Sequence, residues 1–581
     1  MMRILLVHPE DSPRRGPWCG QRWDLVVDLG KSSYFSEEAW QRQLECPILR
    51  SDLFCEGING VRRVRDIFAA GRHQLVDEEG IDWWELISLL WAPDALSVLM
   101  LQRVAAQFKP AADLWATRES GSVSLLAKLL ASPVRSFEGT LLERWAARTM
   151  RYAGLARRLS AVQVKEIFLD KYDAGFRLRS RFAASQERCS DPVILLPSAY
   201  GNVSSMAAAY AKLLPRQAFL LVATRQSARR FAPPGNVEVR DLAAYGRSDA
   251  RTDEFGSLAE RWERLKGALQ DVPELRVLSE AGVFDPFRAW LRDGLRARDA
   301  WREVLEREPV SGVLCGDDSN RYTRLPVLLA ARRRLPTVDF HHGAFDGRYA
   351  LKDLPCDVYL AKNEMEREYL LRVCALPEER VVIGAPAHEF IPRAEERSPG
   401  GETSAILFSE PYEIAGMRAE EVYRELLPQL CRVVREYNRR LIVKLHPFEN
   451  RAQRCAVLQK ILDREDGKLV SVVDGPLTAR LLSQTWFGIT VESTSVMDCV
   501  QNGVTCFLCG WLALSPYEYV EQYTRFGVGE VLERAEAISG IPGRLGELSD
   551  RHLPRSSRAV VADPAMLRRW LTSADVARSA S

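Results

Sequence analysis

Short runs of aliphatic and β-branched residues recur along the chain. Most are followed by a stretch in which apolar positions fall three and four apart. The runs are too short for helices and are bounded by Gly, Pro, Asn or Asp, so they read as strands. The longer stretches read as amphipathic helices. The first strand-like runs are Ile4–Val7 and Leu25–Asp28. A long helical region follows, over about residues 61–188, and carries Trp83, Trp84, Trp91, Trp115 and Trp145. Strands resume at Val193–Leu196, Phe219–Ala223, Val313–Cys315, Thr337–Phe340 and Val358–Ala361, with a helical block over 257–308 among them. After the polar, Pro- and Gly-rich stretch Pro392–Ser404 a second series begins: Ala405–Phe408, Leu441–Leu445, Val470–Val473, Phe487–Thr490 and Thr505–Leu508.

Strand and helix in alternation predict parallel sheets, because a parallel neighbour needs a crossover connection. The expected fold class is α/β, with two Rossmann-like, doubly wound parallel-sheet domains and a large helical insertion in the N-terminal half. Residues 1–390 form the first domain, with the insert over 61–188. Residues 391–404 are the linker, 405–560 the second domain, and 561–581 a C-terminal helix and tail that crosses back to the first. In such sheets ligands bind outside the carboxyl ends of the strands, here a cleft between the two domains. Polar motifs just after strands therefore matter most.

Composition narrows the function. Of 581 residues, 80 are Lys or Arg and 78 Asp or Glu, so no basic excess points to a nucleic-acid partner. No apolar run approaches the length of a membrane span, and the N-terminus does not read as a signal peptide. The expected location is the cytoplasm, with peripheral association at the inner face of the membrane left open. The 12 cysteines are scattered. One pair, Cys506 and Cys509, is spaced C-x-x-C, but it lies in a strand-like run with no second pair at metal spacing. No metal site, cofactor-binding fingerprint or P-loop is present.

Two motifs follow strands of the second series. Leu441–Leu445 ends in Lys444-Leu445-His446-Pro447, and Phe487–Val491 runs into Glu492-Ser493-Thr494-Ser495 and a helix. Hydroxyls and unpaired amides at a helix start suit an anion, and Lys444 and His446 add positive or hydrogen-bonding groups. A strand cap and an N-cap are the plainer readings of each alone. The order of the two, both after strands, favours phosphate binding. In the first series, Thr337–Phe340 leads to His341-His342-Gly343. His342 is the candidate general base because imidazole titrates near neutrality, and Gly343 suits a sharp turn or close ligand approach. Asp317, after Val313–Cys315, and Glu10, after Ile4–Val7, are candidate carboxylates for deprotonating an acceptor hydroxyl or attacking an anomeric carbon, although both also read as N-caps.

Phe340-His341-His342-Gly343, Asp357-Val358-Tyr359-Leu360, Val381-Val382-Ile383-Gly384-Ala385-Pro386, Lys444-Leu445-His446-Pro447 and Ile489-Thr490-Val491-Glu492-Ser493-Thr494-Ser495 occur in a familiar order. The stretch from about Gly312 to Gly510 resembles the GT-B glycosyltransferase superfamily. More narrowly it is similar to bacterial surface-polysaccharide enzymes: CDP-glycerol glycerophosphotransferases, capsule-type Kdo transferases and bacterial sialyltransferases. The resemblance implies that His446, Thr494 and Ser495 contact the donor phosphate and that His342 is catalytic. Lys444 and Ser493 are expected to join that phosphate site, and Gly384 and Glu492 to lie against the nucleotide. The resemblance also implies a nucleotide-sugar donor, plausibly CMP- or CDP-linked, and a glycan or lipid-linked glycan acceptor of the capsule or lipopolysaccharide kind. Glu492-Ser493 stands where the glycerophosphotransferases usually have Asp-Tyr, which leaves the donor open. The epimerases of the same fold carry different Gly-rich and Glu motifs. A non-catalytic glycan-binding or assembly subunit, docking through the Trp-rich insert, is the alternative.

Overall fold

A computed structural model describes residues 2–8, 11, 13–14, 16–29, 37–54, 57–108, 112–137, 189–245, 252–280, 282–316, 318, 321–343, 349, 352–386, 404–412, 419–446, 449–475, 477–512, 519–548 and 559–573. The expected linker up to residue 403, the insert beyond residue 137, Glu10 and Asp317 lie outside them. The described strands form three sheets, all parallel. The chain divides into two compact units. One comprises Met1–Gly60, Leu96–Glu166 and Ile391–Pro554; the other comprises Val61–Ala95, Ile167–Phe390 and Arg555–Ser581.

In the first unit, strands β1 (Met2–Val7), β2 (Leu25–Asp28), β3 (Ile48–Arg50), β4 (Ala112–Ala116) and β5 (Val134–Ser136) make a sheet of order β3-β2-β1-β4-β5. Two sheets were expected from the sequence, and this is a third. Its strands β4 and β5 fall inside the stretch expected to be helical. Ala112–Ala116 (Ala-Asp-Leu-Trp-Ala) is poor in β-formers. It is a strand because it pairs with β1 from Met2↔Ala112 to Leu6↔Ala116, a case of tertiary pairing overriding propensity.

The second sheet of that unit contains β13 (Ser404–Phe408), β14 (Arg440–Lys444), β15 (Val470–Val473), β16 (Thr485–Thr490), β17 (Cys506–Cys509) and β18 (Glu530–Leu532), in the order β15-β14-β13-β16-β17-β18. This is the doubly wound pattern, with β13 first and the strand order reversing between β13 and β16. Both faces are covered, so β13 is buried at every position. Helix Ala419–Glu436 packs Val422, Leu426, Leu430, Val433 and Val434 against Ala405 and Leu407. Those positions recur at helical spacing, and fully burying each such Leu or Val stabilises by about 1.5–3 kcal/mol. On the other face, Phe408, Cys499 and Cys506 crowd around Gly488, where an added Cβ would meet all three at 3.0 Å. Cys506 and Cys509 are fully buried free thiols.

The second unit holds the largest sheet: β6 (Val193–Ser198), β7 (Ala218–Ala223), β8 (Val237–Asp241), β9 (Val310–Cys315), β10 (Thr337–Phe340), β11 (Val358–Ala361) and β12 (Val381–Ile383), ordered β12-β11-β10-β9-β6-β7-β8. Its order reverses between β6 and β9. Helix Pro564–Thr572, capped by the Asp563 side chain on the Met566 amide, buries Leu567, Trp570 and Leu571 with Leu314, Val338 and Phe340. Gly312 is required there, since a Cβ would stand 2.2 Å from the Leu571 carbonyl oxygen. Beside the sheet, Trp84, Trp91, Trp262, Phe284 and Phe287 pack ring on ring. Trp83, Trp84 and Trp91 are fully buried. They are core, not a docking surface. No helix among the described residues is long and apolar enough to cross a membrane.

Candidate functional site

Strands β14 and β16 lie on either side of β13, so their carboxyl ends are about 10 Å apart at normal strand spacing. Lys444 and His446 stand at the end of β14. Glu492, Ser493, Thr494 and Ser495 follow β16 and lead into helix Ser495–Gln501. The sheet thus brings both sequence motifs to the switch point between β13 and β16, where open α/β sheets bind ligands.

The two motifs differ in accessibility. Lys444 is buried, and its ammonium donates to the carbonyls of Leu445 at 2.9 Å and Gly475 at 2.7 Å. It ties β14 to the loop after β15. Burial lowers its pKa, against the opposing pull of Asp474 and Glu449. His446 is half-buried, and burial followed by the Lys444 charge brings its pKa down to about 4. The ring is therefore neutral at pH 7 and can donate one hydrogen bond. The His446 amide donates to Glu449 Oε2 at 2.7 Å. The Glu449 carboxylate also accepts from Ser409 Oγ at 2.7 Å and Arg454 Nε at 2.5 Å. Burial raises the Glu449 pKa, which Arg454, the His446 amide and Ser409 offset in part.

After β16, the Ser493 hydroxyl donates to Ser495 Oγ at 3.1 Å, and the Ser495 amide donates to Ser493 Oγ at 3.3 Å. Thr494 is exposed. The amides of Val491 and Glu492 donate to Glu410 at 3.1 and 2.9 Å. The sequence reading did not single out Glu410, Ser409 or Glu449. The only signal was position: Ser409-Glu410-Pro411 directly follows a strand, as the chosen motifs do.

In the seven-stranded sheet, His341 and His342 point to different partners. His341 is buried, with Nδ1 at 2.9 Å from the Tyr349 hydroxyl. His342 is partly exposed, with Nδ1 at 3.2 Å from the Gly316 carbonyl. A carbonyl only accepts, so Nδ1 carries the proton and the neutral ring keeps its lone pair on Nε2. That is the tautomer a general base needs. Gly316 sits at the end of β9, beside the switch point of this sheet, and a Cβ on it would meet Phe340 at 2.3 Å. Gly343, expected to suit a sharp turn or close ligand approach, has no left-handed φ, and among the described residues a Cβ there would meet His341 Nε2 at 3.7 Å, an ordinary contact. Lys362 fixes the loop, donating to the Gly343 carbonyl at 2.7 Å and pairing with Glu366 at 3.0 Å.

Asp317's neighbour Asp318 is fully buried and pairs with Arg324 at 3.0 Å and with Lys352. Arg324 also pairs with Glu85 at 2.7 Å. Burial works against the Arg324 charge, but Glu85 and Asp318 more than offset it and raise its pKa. Next to Glu10, Asp11 accepts from the His8 amide at 2.8 Å and from the Thr117 hydroxyl, closing its own loop. Gly384 belongs to the second unit, at the end of edge strand β12. Its carbonyl accepts from the buried Tyr210 hydroxyl at 2.7 Å, and a Cβ would meet Ala562 at 3.0 Å.

The sequence matches no protein-family model and no curated protein. Among solved structures the chain is similar to an S. aureus MnaA-UDP co-structure, at 14% identity over 65% of this chain and 95% of that one, with a TM-score of 0.40. It is similar to the UDP-GlcNAc 2-epimerase of Methanocaldococcus jannaschii at 10% identity over 65% and 99%, with a TM-score of 0.41. It is also similar to CalG4, the calicheamicin glycosyltransferase, at 14% identity over 68% and 97%, with a TM-score of 0.38. Likeness at this level assigns no function.

Proposed function

We propose that the protein is a glycosyltransferase-like enzyme of the GT-B kind that binds a nucleotide-activated sugar or polyol phosphate on its β13–β18 sheet. The supporting observation is the meeting of Lys444, His446 and Ser493–Ser495 at the switch point of that sheet. His446 offers a neutral imidazole donor, Ser493, Thr494 and Ser495 offer hydroxyls, and Lys444 supplies positive charge from below. Together these would stabilise the charge that develops on a departing phosphate. His342, with its lone pair on Nε2, is the proposed general base for an acceptor hydroxyl. The acceptor is a glycan or lipid-linked glycan of a bacterial surface polysaccharide, and the donor is CMP- or CDP-linked.

The test is calorimetric titration of the full chain with CMP-, CDP- and UDP-linked donors, with release of free nucleotide measured alongside. Binding of one class, weakened in His446→Ala, is expected. If no nucleotide binds, the enzyme reading fails. If the variant binds as tightly as the parent, His446 leaves the site.

A further inference from the structure

Strand β13 is followed by Ser409 and Glu410, between the two donor motifs. Ser409 reaches one way, to Glu449, whose other oxygen holds the His446 amide. Glu410 reaches the other way. Its Oε1 accepts from the Thr490 hydroxyl at 2.8 Å, the Val491 amide at 3.1 Å and the Glu492 amide at 2.9 Å. Glu410 is partly exposed as a residue, but these bonds turn its carboxyl group onto the loop. Burial pushes its pKa up, while the Glu492 amide, the Thr490 hydroxyl and the Val491 and Ser493 amides pull it back.

Successive amides converging on one point are what a backbone nest offers an anion. Here that anion is the chain's own carboxylate. A ligand phosphate cannot take the same two amides, and the Ser493, Thr494 and Ser495 side chains follow them on the same loop. A carboxylate bonded to two amides and a hydroxyl also holds the loop in one shape, and a site held in advance binds more tightly. We propose that Glu410 is a positioning residue: it fills the amide nest after β16 and so fixes the Ser493–Ser495 hydroxyls for the donor. The proposal rests on the donor reading above, and its test has a readout that does not.

Glu410→Ala and Glu410→Gln are compared with the parent for affinity towards the nucleotide that the parent binds. Amide hydrogen exchange over residues 490–496 is followed in parallel, without ligand. Glu410→Ala should weaken nucleotide binding about tenfold, the worth of one lost hydrogen-bond anchor. Added formate, a carboxylate small enough for the vacated space, should restore most of it, and uncharged formamide should not. Glu410→Gln keeps the length and one acceptor oxygen and should lose less. In the parent, the amides of residues 491 and 492 should exchange slowly, quickly in Glu410→Ala, and slowly again with formate.

Parent-like affinity in a folded Glu410→Ala, or no response to formate, overturns the proposal. If Glu410→Ala does not fold, Glu410→Gln decides. Its neutral acceptor makes bonds roughly half as strong, so unchanged amide protection also overturns the proposal. If the parent binds no nucleotide, the donor reading falls, and amide protection that follows Glu410 and formate still supports its hold on the loop.

Discussion

His446 makes the most direct test of the electrostatics at the switch point. Its pKa is brought from 6.5 down to about 4 by burial and by Lys444. Between those values the unfolded chain binds a proton that the folded chain refuses. Stability must therefore rise with pH across this window: the contribution is full above about 6.5 and is lost as pH falls towards about 4. A shift of 2.5 units has a ceiling of about 3.4 kcal/mol, at about 1.36 per unit. The ring is only half-buried, so solvent screening reduces the realistic figure to about 1–2 kcal/mol. Glu410, Glu449 and Glu85, whose pKa values are raised by burial, act with the opposite sign. The measurement must therefore be a difference. Urea unfolding, followed by tryptophan fluorescence, would be recorded from pH 7.5 to 4.5 for the parent and His446→Gln. The parent should lose about 1–2 kcal/mol more than the variant on acidification. A constant difference across that range would refute the claim that His446 is held neutral. A bound phosphate should raise the His446 pKa again, so nucleotide binding should take up protons below pH 6.5.

Two further substitutions probe the other sheet. His342→Asn keeps a donor for the Gly316 carbonyl but has no lone pair to take a proton. Turnover should fall by about 10²–10⁴-fold while the nucleotide Kd stays put, and unchanged turnover would remove His342 from the chemistry. Arg324→Met leaves Glu85 and Asp318 buried without their shared guanidinium. It should destabilise the protein by about 3–5 kcal/mol, read as a lower thermal midpoint. A midpoint within a degree of the parent's would refute the claim that the guanidinium holds this buried cluster together.

The long central strands were readable because burial on both faces makes them continuous apolar runs: Val193–Leu196, Ala405–Phe408 and Phe487–Thr490 all lie inside observed strands. The short or edge strands β3, β5 and β18 were not, because Ile48–Arg50, Val134–Ser136 and Glu530–Leu532 are strands through pairing and carry little pattern of their own. The third sheet was missed for the same reason, since β4 has no strand-like composition. At the candidate site, the Lys444–His446 and Glu492–Ser495 motifs were legible as strand-end positions because each follows a clear apolar run. Glu410 was not, because its role depends on reaching a loop some eighty residues downstream, and spacing along the chain says nothing about that. Asp318, next to the candidate Asp317, shows how environment decides: full burial commits it to Arg324 and Lys352.

The helix Pro564–Thr572 sets a timetable for synthesis. It covers the face of β9 and β10 formed by Leu314, Val338 and Phe340, and the preceding segment pairs with Ala385, just past β12. All the residues of the β13–β18 sheet are made between β12 and that cover. At about 5–20 residues per second, roughly ten to forty seconds pass on the ribosome before the cover arrives. For that interval the nascent seven-stranded sheet carries a bare apolar face. A chain stopped before residue 559 would keep that face bare for good, and should be recovered bound to chaperones or in aggregates even though every strand of the sheet is present.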